Sequence, residues 1–160
     1  MNLSFGKIEK NDNVHLASMI RKSFIEFDAP TSGTVYSDPT TDDLFALFQH
    51  PKSILFVVRD NDIAIGCCGI YPTPGLPKGC TELVKFYLAK EYRNMKIGLR
   101  LFQMSINYAK EAGYSMIYLE SLPHFAKAIE LYNKEGFQSL NAPLVNSEHP
   151  GCDIWMVKKL

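Results

Sequence analysis

Thr81-Glu-Leu-Val-Lys-Phe-Tyr-Leu-Ala-Lys-Glu-Tyr-Arg-Asn-Met-Lys-Ile-Gly98 divides into a strand, a turn and the start of a helix. Glu82 to Leu88 is rich in β-branched, leucine and aromatic residues, as strands are. Ala89 to Lys96 is a polar, basic turn. From Ile97 onward, Ile97, Leu101, Met104 or Ser105, Tyr108 and Ala112 fall on one helical face. Gly113 supplies a stop for that helix.

The charges at this helix start run against the usual order. A helix N-terminus favours acids in its first turn by roughly 0.3–1 kcal/mol each. Here Arg93, Lys96 and Arg100 flank the start, and no acid follows until Glu111. The order becomes favourable when a phosphate or pyrophosphate sits on the free backbone N–H groups, with Gly98 letting the backbone come close. A solvated basic turn carries the same charges, and charge order alone leaves the two readings even.

Outward from this unit, the C-terminal half alternates strand and helix. Ser115 to Glu120 reads as a strand, Pro123 to about Glu135 as a helix ended by Gly136, Phe137 to Leu140 and Cys152 to Lys158 as strands, and Asn141 to Gly151 as a loop. This order predicts one parallel pair, Glu82–Leu88 beside Ser115–Glu120. The N-terminal half reads as a strand over Leu3 to Ile8, then a helix over Val14 to Phe27 with Leu16, Met19, Ile20, Phe24 and Phe27 on one face. Asn11-Asp12-Asn13 before it is able to cap. Asp28 to Thr41 is a loop, and Thr40-Thr-Asp-Asp43 resembles a capping box before a second helix. Ile54 to Arg59 and Ile63 to Tyr71 form a hairpin about Asp60-Asn-Asp62. The apolar run Ile54 to Val58 suits a strand covered on both faces. Pro72 to Gly79 is a rigid connection. The expected class is α/β: a mixed, mostly antiparallel central sheet flanked by helices, with one parallel strand pair.

Composition narrows the function. The 160 residues, 46% of them hydrophobic, suit a single domain spanning 1–160 with a substantial core. Seventeen basic residues balance 17 acidic ones, without the basic excess of a nucleic-acid or membrane-surface binder. Cys67, Cys68, Cys80 and Cys152 have no metal-binding spacing, and Cys67 and Cys68 should point to opposite faces of a strand. Free thiols, no signal-like segment and no membrane-length apolar run lead to the expectation of a cytoplasmic protein without a metal.

A family resemblance enters at two motifs. Arg93-Asn-Met-Lys-Ile-Gly98 resembles motif A of the GCN5-related N-acetyltransferases, usually Arg/Gln-x-x-Gly-x-Gly/Ala. Ala128-Ile-Glu-Leu-Tyr-Asn-Lys-Glu-Gly-Phe137 resembles the end of motif B. The resemblance covers about Ile54 to Phe137 and implies one splayed parallel strand pair, parted to admit the cofactor. Lys96 stands where the first motif glycine is usual, and Phe125 where motif B often has Asn. These departures touch one phosphate contact and one pantetheine contact.

The resemblance implies acetyl transfer from acetyl-CoA to a primary amine of a small molecule or peptide, by direct attack in a ternary complex. The alternative is a non-catalytic acyl-CoA-binding module of the same fold. Cofactor contacts are implied for Phe86, Tyr87 and Leu88 and for Asn94, Met95, Lys96, Ile97, Gly98 and Leu99, with Arg93 and Lys96 as charges. Neutralising a lysine-like amine at pH 7 costs about 4–5 kcal/mol in the free state, so a base helps. Glu82 matches the family's glutamate base, and strict alternation would put it on one face with Phe86 and Leu88. A salt bridge to Lys85 or Lys110 is its bland alternative. Glu120 is the second candidate, or else a helix cap. Tyr132 matches the motif B tyrosine that protonates the departing thiolate. His149 and Tyr36 are weaker acceptor-site candidates. A homodimer is left open.

Overall fold

The computed structural model describes residues 1–160. Seven strands form one sheet: β1 (Leu3–Lys7), β2 (Ile54–Asp60), β3 (Ile63–Tyr71), β4 (Cys80–Leu88), β5 (Met116–Ser121), β6 (Gln138–Leu140) and β7 (Ile154–Lys159), in the order β1-β2-β3-β4-β5-β7-β6. Every neighbouring pair is antiparallel except β4 with β5. The expected mixed sheet with one parallel pair is thus the one observed.

Helix α1 (Asn13–Glu26) covers one face, while α3 (Ile97–Glu111) and α4 (Ala126–Lys134) cover the other. Two apolar layers result. Leu16, Met19, Ile20 and Phe24 of α1 pack on Leu55, Val57 and Cys67. Leu101, Phe102 and Ile106 of α3 pack on Val58, Cys68 and Ile70. The run of β2 is therefore covered on both faces, and adjacent Cys67 and Cys68 enter opposite layers, as alternation requires. Phe27 is 37% exposed, because α1 ends at Glu26 and leaves it at the rim. On α3 the buried stripe is turned by about one residue from the expected one: Phe102, Ile106 and Ala109 are buried, whereas Ala112 is exposed.

Two capping expectations are revised. The second helix is a single turn, α2 (Leu44–Leu47), preceded by a 3-10 turn over Pro39–Asp42. Asp38 caps that turn at Thr40, and Asp43 caps α2 at Ala46. Asp12 does not cap α1. Its buried carboxylate instead accepts from Arg59 at 2.8 and 2.5 Å and from the Glu9 amide at 2.7 Å. Removing either member of such a buried pair strands the other charge, at a cost of about 3–5 kcal/mol.

Candidate active site

Strands β4 and β5 pair only at Cys80–Met116, Thr81–Ile117 and Glu82–Tyr118. Beyond Glu82 they part. Their facing backbone edges have no strand partner, and an unpaired edge offers N–H and C=O groups to a ligand. The cleft between them has a volume of about 100 Å³ and is lined mainly by apolar side chains, with Glu82, Glu120 and Tyr132 among its polar ones. Tyr132 is buried, with its ring 6.2 Å from Phe86 and 5.7 Å from Phe137. Burial first, then the Cys68 thiol, pushes its pKa far up, so the phenol stays protonated. Phe125, the departure in motif B, is 5.3 Å from Phe24 and 6.1 Å from Tyr87. It adds an aromatic wall to the cleft.

The β4 strand carries a break that alternation does not anticipate. Cys67 pairs with Tyr87 but Gly69 with Val84, so β4 has one extra residue there, at a bulge. Lys85 takes it up at φ +55°, and its carbonyl accepts from the Cys67 thiol at 3.0 Å. The bulge reverses the faces. Leu83, Phe86 and Leu88 turn to the α3 layer, and Val84 and Tyr87 to the α1 layer. Glu82 consequently lies away from the face of Phe86 and Leu88, against the expectation.

Glu82 stands instead at a junction. It lines both the β4–β5 cleft and a second cavity of about 410 Å³, as do Val84, Lys85 and His149. Its Oε1 accepts from the Thr73 hydroxyl at 3.2 Å, and no lysine pairs with it. Burial, with the neighbouring Glu120 next in weight, pushes its pKa to about 7. Glu120 caps no helix, since Phe125 precedes α4 without a side-chain bond. It accepts from the Tyr118 hydroxyl at 2.7 Å and from the Ser147 hydroxyl.

The second cavity lies under two loops tied to each other. His149 Nε2 is 2.7 Å from Asp38 Oδ2, and the Gly151 amide donates to the Gly33 carbonyl at 2.8 Å. A Cβ on Gly151 would lie 2.9 Å from the Gly33 and Ser32 carbonyl oxygens, so only glycine allows this approach. Burial alone would raise the Asp38 pKa. The bonds from His149 and Thr40 and the nearby Lys85 charge outweigh it and hold the carboxyl below its ordinary value. His149 thus belongs to the site. Tyr36 does not line either cavity; its ring packs 6.0 Å from Phe24 and its carbonyl accepts from Arg21.

At the start of α3, Lys96 is the N-cap with φ +61°, and neither a side-chain cap nor a first-turn acid satisfies the amides of Ile97, Gly98 and Leu99. These amides and the exposed Lys96 fit an anionic group. Asn94 (φ +63°) and Met95 are exposed beside them. Gly98 faces side chains: a Cβ there would meet Phe86 at 3.5 Å, an ordinary contact. Arg93 is committed elsewhere. Its Nε donates to the Leu88 carbonyl at 3.0 Å, its Nη1 pairs with Glu26 at 2.7 Å, and its guanidinium lies 4.9 Å from the Phe27 ring centroid. It anchors the turn to α1, whereas Lys96 makes no ion pair and Arg100 lies over the Phe5 ring at 4.0 Å.

A parted strand pair beside an apolar cleft, and a helix start whose amides are free for an anion, suit a long anionic ligand. The acetyltransferase (GNAT) family model matches residues 21–137. The chain belongs to that family of acyl-CoA-dependent N-acetyltransferases. It is 28% identical over 155 residues to the uncharacterised N-acetyltransferase YjgM of Escherichia coli, covering 96% of this chain and 93% of that one. A GNAT-family acetyltransferase of Staphylococcus aureus superposes with a TM-score of 0.84 at 18% identity over 98% of both chains. The PaiA N-acetyltransferase of Thermoplasma acidophilum, solved in complex with coenzyme A, superposes with a TM-score of 0.76 at 18% identity over the whole of both chains. No helix of this chain is long and apolar enough to cross a membrane.

Proposed function

We propose that the chain transfers an acetyl group from acetyl-CoA to a primary amine by direct attack, with Glu82 as general base and Tyr132 as general acid. The carrying observation is that β4 and β5 part at Glu82, where the cleft meets the second cavity. The donor occupies the cleft, its pyrophosphate on the amides of Ile97, Gly98 and Leu99 and its pantetheine arm along the unpaired edge of β4 from Phe86 to Leu88. The acceptor occupies the second cavity. Glu82 takes one proton as the ammonium becomes an amine and passes it to solvent. The nitrogen then forms its bond to the acetyl carbon as the carbon–sulfur bond breaks. Tyr132 protonates the departing thiolate, and the second proton lost by the nitrogen replaces the one Tyr132 gave.

Direct attack is supported by the state of the cysteines. Cys152, in the cleft, is pushed up to about 12, and Cys68 likewise, in each case by burial first. A neutral thiol is a poor nucleophile. The test is thiol release from acetyl-CoA over a panel of amino acids, polyamines and lysine peptides. Amine-dependent release is the expected outcome. Binding of acetyl-CoA with no release from any amine would leave a binding module in its place.

A further inference from the structure

We propose that the acceptor is an α-amino carboxylate with an apolar side chain, its carboxylate held by Lys85 and its amine presented to Glu82. The inference rests on the acetyl transfer proposed above.

Lys85 carries it. The residue is 7% exposed, lines both the cleft and the second cavity, and is fixed there by the β4 bulge. Its side-chain nitrogen makes no side-chain hydrogen bond and no ion pair within 4.0 Å, and burial lowers its pKa below the ordinary lysine value against the opposing pull of nearby carboxylates. The charged groups around it are Asp38, Glu82 and Glu148, with the Cys67 thiol. Asp38 and Glu82 accept from other donors. Asp38 accepts from His149 at 2.7 Å and from the Thr40 amide and hydroxyl at 2.9 and 2.7 Å. Glu82 accepts from Thr73, and Glu148 sits on an exposed part of the late loop. An ammonium has three donors and no acceptor of its own, and because no unpartnered side-chain nitrogen is sealed from solvent, that of Lys85 opens into the cavity. A ligand carboxylate completes it by charge and by hydrogen bond.

The same cavity selects the rest of the acceptor. The lining is mostly polar, but Leu47, Phe48, Tyr71, Pro74, Val84 and Val145 give it an apolar part, and about 410 Å³ admits a side chain of leucine or phenylalanine size. A zwitterion leaves the local charge balance unchanged: its carboxylate offsets Lys85 and its ammonium offsets Glu82. A polyamine or a lysine side chain brings no carboxylate and leaves Lys85 unpaired.

Two matched triads test this: leucine, leucinamide and 3-methylbutylamine, and phenylalanine, phenylalaninamide and phenethylamine. Spermidine and a lysine peptide run alongside. Thiol release gives kcat and KM for each. A charge-assisted contact predicts kcat/KM at least about tenfold higher for the amino acid than for its carboxamide or decarboxylated amine, mostly through KM. Lys85→Met should narrow that gap by at least about fivefold, with circular dichroism confirming the fold. If Lys85→Met fails to fold, the wild-type ratios across both triads decide. Equal turnover within each triad, or turnover confined to spermidine or the peptide, would overturn the carboxylate reading and leave acetyl transfer standing. No thiol release with any amine would overturn both.

Discussion

Glu82 is held near neutrality by burial and by Glu120, and this shapes two measurable properties. As a base it must be ionised, so kcat/KM should rise by about tenfold per pH unit below about 7 and level off above it. A profile flat from about pH 5 to 8 would remove Glu82 from the role. The same shift bears on stability. The pKa is raised in the fold, from 4.5 to about 7, so the ionised form is disfavoured there. The destabilisation is absent below about pH 4.5, grows through that window and is complete above about pH 7. Glu82→Gln should therefore melt higher than the parent at pH 8, by on the order of 2 kcal/mol, with the difference gone by about pH 4.5. Its acetyl transfer should fall by about a hundredfold or more. Tyr132→Phe keeps the ring packing against Phe86 and Phe137. It should bind acetyl-CoA as the parent does and lose roughly ten- to a hundredfold in kcat; unchanged turnover would reject the acid role.

At the scale of elements, legibility followed the strength of the local rule. Strand β3 and helix α3 begin where the residues predict, because a turn with two polar residues at positive φ, Asn61 and Asp62, precedes one and the polar turn ending at Lys96 precedes the other. Alternation misplaces the face of Glu82 because a bulge depends on pairing between strands, here Cys67 with Tyr87 and Gly69 with Val84, and no residue of β4 announces it. Arg93 looked like a free phosphate ligand because its partners, Glu26 and Phe27, are distant in sequence. The usual glycine of motif A is explained by Lys96: the position is left-handed, at φ +61°, which costs a side-chain-bearing residue roughly 1 kcal/mol. Lys96→Gly should raise stability by roughly 0.5–1 kcal/mol in chemical denaturation, while weakening acetyl-CoA binding through the lost charge. Tighter binding in that variant would mean that the lysine hinders the phosphate.

For the molecule as a whole, the class of sheet, its parallel pair and the order of its layers were legible because hydrophobic periodicity and motif spacing act along the chain. The acceptor cavity was not, because residues of the early loop, β4 and the late loop meet there only after folding. Asp38 and His149 are 111 positions apart yet 2.7 Å from each other. His149→Ala should loosen the late loop, seen as faster amide exchange from Ser147 to Cys152, and raise the acceptor KM. The central claim, that the parted β4–β5 edge is the acetyl-CoA site, is tested most directly by calorimetric titration of acetyl-CoA into the parent and into Ala128→Trp, which fills the cleft from α4. The account predicts one acetyl-CoA bound per chain and binding weakened by at least about tenfold in the folded variant. Equal binding to both proteins, or none to the parent, would contradict it.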